Sequence, residues 1–239
     1  MLPHPLAYMP PSGKPTQLFV VLHDDNAAPE QMQPLVQALV AQFPEAMIVL
    51  PYGFASEVSS EALNQNACFV WGDSHGWSEV PNVSQRQGVV PYLLQQLGVW
   101  QQFSGLGPES TALVGFGQGA VLALDISRQS PLCIGRVLVF SGNYRELPAE
   151  IPSSLLIHFF HGQNDTHYPL AQLQDTLAHL GSLSADATLD IAEGLGHELH
   201  PVLIEQAVHR LTTYIPMRTW KEALGTLEKT ERPDGSTLH

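Results

Sequence analysis

LVGFGQGAV, residues 113–121, joins an apolar run to three closely spaced glycines. The run ends at Phe116, and Gly115, Gly117 and Gly119 frame a short turn before apolar residues resume. A run that is apolar throughout is typical of a strand buried on both faces. Glycine permits the sharp backbone bends that other residues resist. The stretch therefore predicts a strand, a tight turn at Gly117 and a helix that begins near residue 118.

Segments of both kinds alternate along the rest of the chain. The strand-like segments are 17–23, 47–51 and 187–193, with three more centred near 113, 138 and 157. The helix-like segments are 29–43, 84–103, 118–130, 168–181 and 201–215. Such alternation predicts an α/β fold, with a mostly parallel twisted sheet and helices on both faces. We expect the helix over 84–103 to bend near Pro91, because proline cannot donate to the helical hydrogen bonds.

The chain has 239 residues, of which 44% are hydrophobic, and this suits one large domain. We place that domain at 17–225, between an N-terminal lead-in at 1–16 and a polar tail at 226–239. The net charge of −13 disfavours nucleic acid and anionic membrane surfaces as partners. No apolar stretch approaches the roughly 18 residues that span a bilayer, so membrane insertion is not expected.

The N-terminal residues lack a basic segment followed by an apolar core, so the sequence predicts a cytoplasmic protein. Its two cysteines, Cys68 and Cys133, fit no metal or disulfide spacing. HELH at 197–200 spaces its histidines three apart, which does not match a zinc helix. We expect no metal and no cofactor.

Three polar or glycine-rich turns follow later strands in an informative order. Gly117 comes first, then Asp165 in HGQNDTH (161–167), then His197 in GLGHELH (194–200). A nucleophile, an acid and a histidine in this chain order form the triad of one class of hydrolase. Imidazole near neutrality removes a hydroxyl proton, and the carboxylate orients the imidazole. We therefore expect Asp165 to hydrogen-bond His197, and His197 to face Gly117 across a cleft.

Three motifs in this chain resemble those of the phospholipase/carboxylesterase family of α/β-hydrolases. GFGQGA resembles that family's GFSQGA in all but the serine, HGQNDTHYP resembles its acid loop, and LGHEL resembles its histidine loop. The likeness runs from about residue 17 to about 225. It implies that Asp165 is the acid, His197 the base and Gly117 the position of the lost nucleophile. It also implies that the backbone N–H of Gln118 is an oxyanion donor.

The first strand of the family ends in HG, whereas this chain has HDDN at residues 23–26. Asp24 replaces the glycine, and Asp25 stands where the second oxyanion N–H is expected. Carboxylates beside a developing oxyanion raise its energy, because such a site works through preorganised positive dipoles. The resemblance implies carboxylic ester hydrolysis as the family activity. The two departures predict a protein that is inactive or very weak in that reaction.

Three functions remain open from the sequence. The first is a non-catalytic pseudoenzyme with a regulatory or ligand-binding role, its ligand a small-molecule ester or acyl compound. The second is a slow hydrolase in which His197 and Asp165 activate water, and the third is an engineered Ser→Gly variant of an esterase. The HDDN loop argues against the third. Phe69, Trp71 and Trp77 either line an acyl pocket or cap the core beneath a loop. The oligomeric state is not predicted.

Overall fold

The computed structural model describes residues 4–55, 69–71 and 88–214. Its main sheet has seven strands in the order β1-β3-β2-β6-β7-β8-β9, and β1 alone runs antiparallel to its neighbour. The strands are β1 Leu6–Tyr8, β2 Gln17–Leu22, β3 Ala46–Leu50, β4 Phe54–Ala55, β5 Phe69–Val70, β6 Thr111–Phe116, β7 Arg136–Phe140, β8 Leu156–Gly162 and β9 Asp186–Ala192. The short strands β4 and β5 form a separate antiparallel pair.

Helices cover both faces of the sheet, as the sequence predicts. They are α1 Gln33–Gln42, α2 Val89–Ser104, α3 Gln118–Gln129, α4 Leu170–Ser182 and α5 Pro201–Thr213. Helices α2, α3 and α4 bury apolar side chains on one face, and α1 and α5 do so on the other. No helix in the described part of the chain is long and apolar enough to cross a membrane.

Strand β2 shows why its sequence is apolar throughout. Leu18, Val20 and Leu22 join the core on one face of the sheet, and Phe19 and Val21 join the core on the other. Successive side chains of a strand point to opposite faces, so a strand between two helical layers needs apolar residues at every position.

The chain order of the strands creates a crevice beside β2. From β2 the chain passes through α1 to β3 on one side, and it later returns to β6 on the other side. Ligands bind at such a reversal in open α/β sheets, beyond the carboxyl ends of the strands. Asp24 follows β2 and Gly117 follows β6, so the topology brings these two turns together.

Two boundary predictions need correction. Leu6–Tyr8, within the expected lead-in, pairs with β3 and extends the sheet. Helix α2 begins at Val89 after an extended Gly88, so Pro91 lies in the first turn and not at a mid-helix bend. A first-turn N–H has no partner within the helix, so proline loses no hydrogen bond there. The tail at 226–239 lies outside the described residues.

The buried His158 of β8 makes stability depend on pH. Its burial, with the nearby charges of Arg136 and Arg210, lowers its pKa to about 3, while its Nδ1 lies 2.8 Å from Thr188 Oγ1. The unfolded chain binds a proton at this histidine below pH 6.5, whereas the folded chain stays neutral until a much lower pH. The protonation of His158 in the unfolded chain should therefore lower the free energy of unfolding by about 3 kcal/mol as the pH falls from 6.5 to 4.

Urea denaturation at several pH values tests this prediction. We expect His158→Gln to flatten the acid slope of the unfolding free energy. The same change at the exposed His209 should leave the wild-type slope in place. Equal slopes in the wild type and His158→Gln would contradict the assignment.

Candidate active site

Gly117 forms the turn between β6 and α3. Its backbone has φ 54° and ψ −120°, a left-handed conformation that residues with a Cβ adopt only under strain. The Gly117 N–H donates to the carbonyl of Phe140 at 3.0 Å, which fixes the turn against β7. Helix α3 begins directly afterwards, and its first N–H groups have no partner within the helix. The turn thus presents the Gln118 N–H at the carboxyl edge of the sheet.

Asp165 and His197 form the hydrogen bond that the sequence predicts. Asp165 Oδ2 lies 2.9 Å from His197 Nδ1, and Asp165 Oδ1 accepts the backbone N–H groups of His167 and Tyr168 at 2.8 and 3.0 Å. Burial alone would raise the pKa of the Asp165 carboxyl, but the Tyr168 N–H and His197 outweigh it and lower that pKa. The carboxylate is therefore ionised and holds Nδ1 of the imidazole.

Asp24 occupies the space that a side chain at position 117 would need. Its Oδ1 accepts the Gln118 N–H at 2.6 Å, and its Oδ2 lies 3.1 Å from His197 Nε2. A Cβ placed on Gly117 would lie 2.0 Å from Asp24 Oδ1 and 2.2 Å from Asp24 Cγ. The Asp24 carboxylate therefore lies between His197 and Gly117, which the sequence expectation of a cleft between them did not include.

The charges of this group reinforce one another. Burial would raise the pKa of Asp24, but His197 and the backbone N–H groups of Gln118 and Asp25 lower it below its usual value. Burial would lower the pKa of His197, but the Asp24 and Asp165 carboxylates raise it. His197 thus lies between two carboxylates that both favour its protonated form. The Asp25 side chain is exposed and accepts from Asn26 Nδ2 at 3.0 Å.

His23 holds the loop that carries Asp24. Its Nδ1 lies 2.7 Å from the Asp24 carbonyl, and its Nε2 accepts the Gly53 N–H at 3.1 Å. Burial lowers the pKa of His23 to about 4, so the ring is neutral and Nδ1 carries its proton. The Asp24 N–H donates to Gln31 Oε1 at 2.9 Å. These bonds fix the backbone of Asp24 on both sides of its Cα.

The aromatic residues of the expected pocket lie partly in the core. Trp71 is 1% exposed, stacks on His23 at 4.6 Å and donates its indole N–H to the His23 carbonyl at 2.8 Å. Phe69 is also buried. Both rings contact His23, and so they support the loop that carries Asp24. Trp77 lies outside the described residues, so an acyl pocket stays a prediction.

Three further residues, which the sequence did not indicate, surround His197. Phe116 stacks on its imidazole at 4.9 Å, and the rings of His167 and Tyr168 lie 4.5 and 5.8 Å from it. Phe116 directly precedes Gly117, and His167 and Tyr168 follow Asp165 within three residues; this closeness in sequence is the signal that could have identified them. His167 also brings a possible metal ligand within 4.8 Å of those of Asp165 and His197. Both Asp165 oxygens, however, already accept hydrogen bonds, as the acid of a triad requires.

The chain is similar in sequence and structure to known esterases. A family model described as Phospholipase/Carboxylesterase matches residues 6–215. The chain is 30% identical over 214 residues to the esterase YpfH of Escherichia coli strain K12, covering 90% of each chain. The crystal structure of esterase PE8 superimposes with a TM-score of 0.68 at 27% identity, over 87% of this chain and 97% of that one.

The Bacillus cereus carboxylesterase superimposes with a TM-score of 0.63 at 13% identity, over 86% of this chain and 91% of that one. At that identity the likeness shows the fold alone. Together with the mostly parallel sheet and its two helical layers, it establishes the α/β-hydrolase fold that the sequence predicts.

Proposed function

The chain belongs to the phospholipase/carboxylesterase family of α/β-hydrolases, and we propose that it has lost the serine-esterase chemistry of that family. We propose further that the Asp24 carboxylate lies where the serine would act. One observation supports this most strongly: Asp24 bonds both the Gln118 N–H and His197 Nε2, beside a glycine that has no hydroxyl. An ester or acyl compound is the small-molecule ligand that the family resemblance alone predicts, and the sequence predicts a cytoplasmic location.

Two independent obstacles oppose ester hydrolysis at this site. Gly117 cannot form an acyl-enzyme, since it lacks a nucleophilic atom. The Gln118 N–H, which would hold the oxyanion, already binds the negative oxygen of Asp24. Losing one oxyanion donor costs about 2.7–4 kcal/mol of transition-state stabilisation in a serine hydrolase. The engineered-variant hypothesis accounts for the first obstacle and leaves the second unexplained.

Slow hydrolysis by water is the second candidate, and the intact Asp165–His197 bond favours it. General-base assistance contributes roughly 10²–10⁴ in rate. Asp24 Oδ2 lies 3.1 Å from His197 Nε2, however, so water must displace the carboxylate before His197 can accept a proton from it. We expect this route to give little more than background hydrolysis.

Hydrolysis of p-nitrophenyl esters and labelling by a fluorophosphonate test the proposal directly. We expect kcat/KM far below the value of about 10⁴ M⁻¹s⁻¹ that marks an ordinary enzyme, and no phosphonylated serine. An active serine esterase of the family should be labelled in parallel. Turnover in the ordinary range, with stoichiometric labelling of a serine in this chain, would overturn the proposal.

A further inference from the structure

We infer that Asp24 is a nucleophile toward electrophilic saturated carbon, and that the substrates are compounds such as terminal epoxides or primary alkyl halides. The inference rests on the proposed loss of serine-esterase chemistry and names the reaction that replaces it. It follows from the position of one carboxylate. Asp24 bonds the Gln118 N–H and His197 Nε2, and it fills the space that a side chain at Gly117 would occupy.

The accessible carboxylate of the group is Asp24. Its side chain is 20% exposed, whereas that of Asp165 is 0% exposed, although both contact the same imidazole. Asp165 is held by two backbone N–H groups and by His197 on its other oxygen. Asp24 can therefore meet a ligand in the crevice while Asp165 orients the histidine from behind. A low pKa keeps Asp24 in the ionised form that attacks.

The hydrogen bond from Gln118 selects the class of electrophile. Attack on an ester carbonyl places a negative oxygen on the substrate, which needs preorganised donors. The Gln118 N–H already donates to Asp24, so it cannot donate to the substrate oxygen unless its bond to the nucleophile breaks. Displacement at saturated carbon creates no substrate oxyanion of this kind. The same N–H instead orients Asp24 so that Oδ2 lies against His197 Nε2.

The first step forms one bond and breaks one. Asp24 Oδ2 attacks the saturated carbon, a C–O ester bond forms, and the bond to the leaving group breaks with its electron pair. An epoxide opens to an alkoxide, which takes the Nε2 proton of His197. A halide leaves as the anion and needs no proton, and His197 then loses its proton to solvent. Asp24 is now a neutral alkyl ester, which removes one of the two charges that hold the proton on His197.

The second step is hydrolysis of that ester by water. Neutral His197 accepts a proton from water through Nε2 while the water oxygen attacks Asp24 Cγ. The negative Oδ1 of the tetrahedral intermediate stays on the Gln118 N–H, where that oxygen already lies 2.6 Å from the nitrogen. The intermediate collapses by expelling the alkoxide, which takes the proton from His197. The new carboxylic acid then returns its proton to His197, which restores the starting pair.

Trapping the covalent intermediate is the first test. The probe is 1-bromohexane, since a bromide needs no proton to leave. In His197→Gln the ester should accumulate, and the peptide containing Asp24 should gain one hexyl group that hydroxylamine removes. His197→Gln combined with Asp24→Asn should show no such adduct. Asp175→Asn, a matched change at an exposed residue of α4, should leave the trapping of His197→Gln intact.

Labelling in oxygen-18 water is the second test, and it uses the wild-type protein in case the variant does not fold. One turnover of 1,2-epoxyhexane or 1-bromohexane should place one oxygen-18 atom in the Asp24 peptide and none in the Asp165 peptide. Diol or alcohol formed without label at Asp24 would overturn the inference. So would the absence of both adduct and label with both probes. Ester turnover and fluorophosphonate labelling are measured separately, so the proposed loss of serine chemistry can hold while the inference fails.

Discussion

Ester hydrolysis is expected to rise by about 10³-fold or more when Gly117→Ser is combined with Asp24→Gly, whereas Gly117→Ser alone gains less than about 10-fold. A serine Cβ at position 117 would lie 2.0 Å from Asp24 Oδ1, so the single variant must first push that carboxylate aside. Removing Asp24 frees three things at once: the space for the hydroxyl, the Gln118 N–H and His197 Nε2.

A double-mutant cycle on p-nitrophenyl ester hydrolysis measures this gain. Asp24→Gly alone supplies no nucleophile, so its gain in ester turnover is limited to the general-base help that the freed His197 gives to water and should fall well short of the gain in the double variant. The two changes should therefore be strongly non-additive, as groups that act as a unit are. Fluorophosphonate should label the double variant at residue 117. Family-like activity from Gly117→Ser alone would show that Asp24 leaves the site easily and is no obstacle to serine chemistry.

Thermal unfolding of the same variants gives an independent check. Gly117 has φ 54°, so any residue with a Cβ there is strained, by on the order of 1–3 kcal/mol. Gly117→Ser should lower the melting temperature, and adding Asp24→Gly should recover part of the loss by relieving the close contact with Asp24. A lower melting temperature for the double variant than for both single variants would contradict this assignment of the strain.

The relation of Asp165 to His197 was predictable from the sequence, and the position of Asp24 was not. The triad order follows from strands and turns that local patterns indicate, since parallel strands bring their carboxyl ends to one edge. In the sequence, Asp24 is a departure from the family motif, and its charge is expected to repel an oxyanion. In the structure, the Asp24 carboxylate instead accepts a hydrogen bond from the Gln118 N–H, the expected oxyanion donor. The orientation of Asp24 depends on Gln31, His23 and Trp71, whose contacts with residues 23 and 24 no local pattern encodes.

The missed parts of the fold have physical causes of the same kind. Leu6–Tyr8 is too short to show a strand periodicity, and its strand exists because β3 offers a free edge. The start of α2 depends on the extended conformation of Gly88, which permits Pro91 in the first turn. Both are decided by tertiary context, whereas the long buried strands are decided by their own apolar runs.

Helix α3 lies very close to the end of β2 at Gly119. A Cβ on Gly119 would lie 2.4 Å from the carbonyl oxygens of both Leu22 and His23, which are backbone atoms that cannot rotate away. Gly119→Ala should therefore destabilise the fold by about 3 kcal/mol. Gly98 of α2 is the matched control, since a Cβ there meets nothing within 4 Å. Gly98→Ala should instead stabilise the fold by about 1 kcal/mol through helix propensity.

The same contact also sets the position of Asp24, which directly follows His23 in the chain. Pushing the end of β2 away from α3 should lengthen the bond between the Gln118 N–H and Asp24 Oδ1, and move Oδ2 from His197 Nε2. One of the two carboxylates that raise the pKa of His197 would then be lost, so that pKa should fall in Gly119→Ala. An NMR titration of His197 measures the shift, with Gly98→Ala expected to titrate as the wild type does. A destabilised Gly119→Ala whose His197 pKa is unchanged would show that Asp24 is held by its own loop rather than by the packing of β2 on α3.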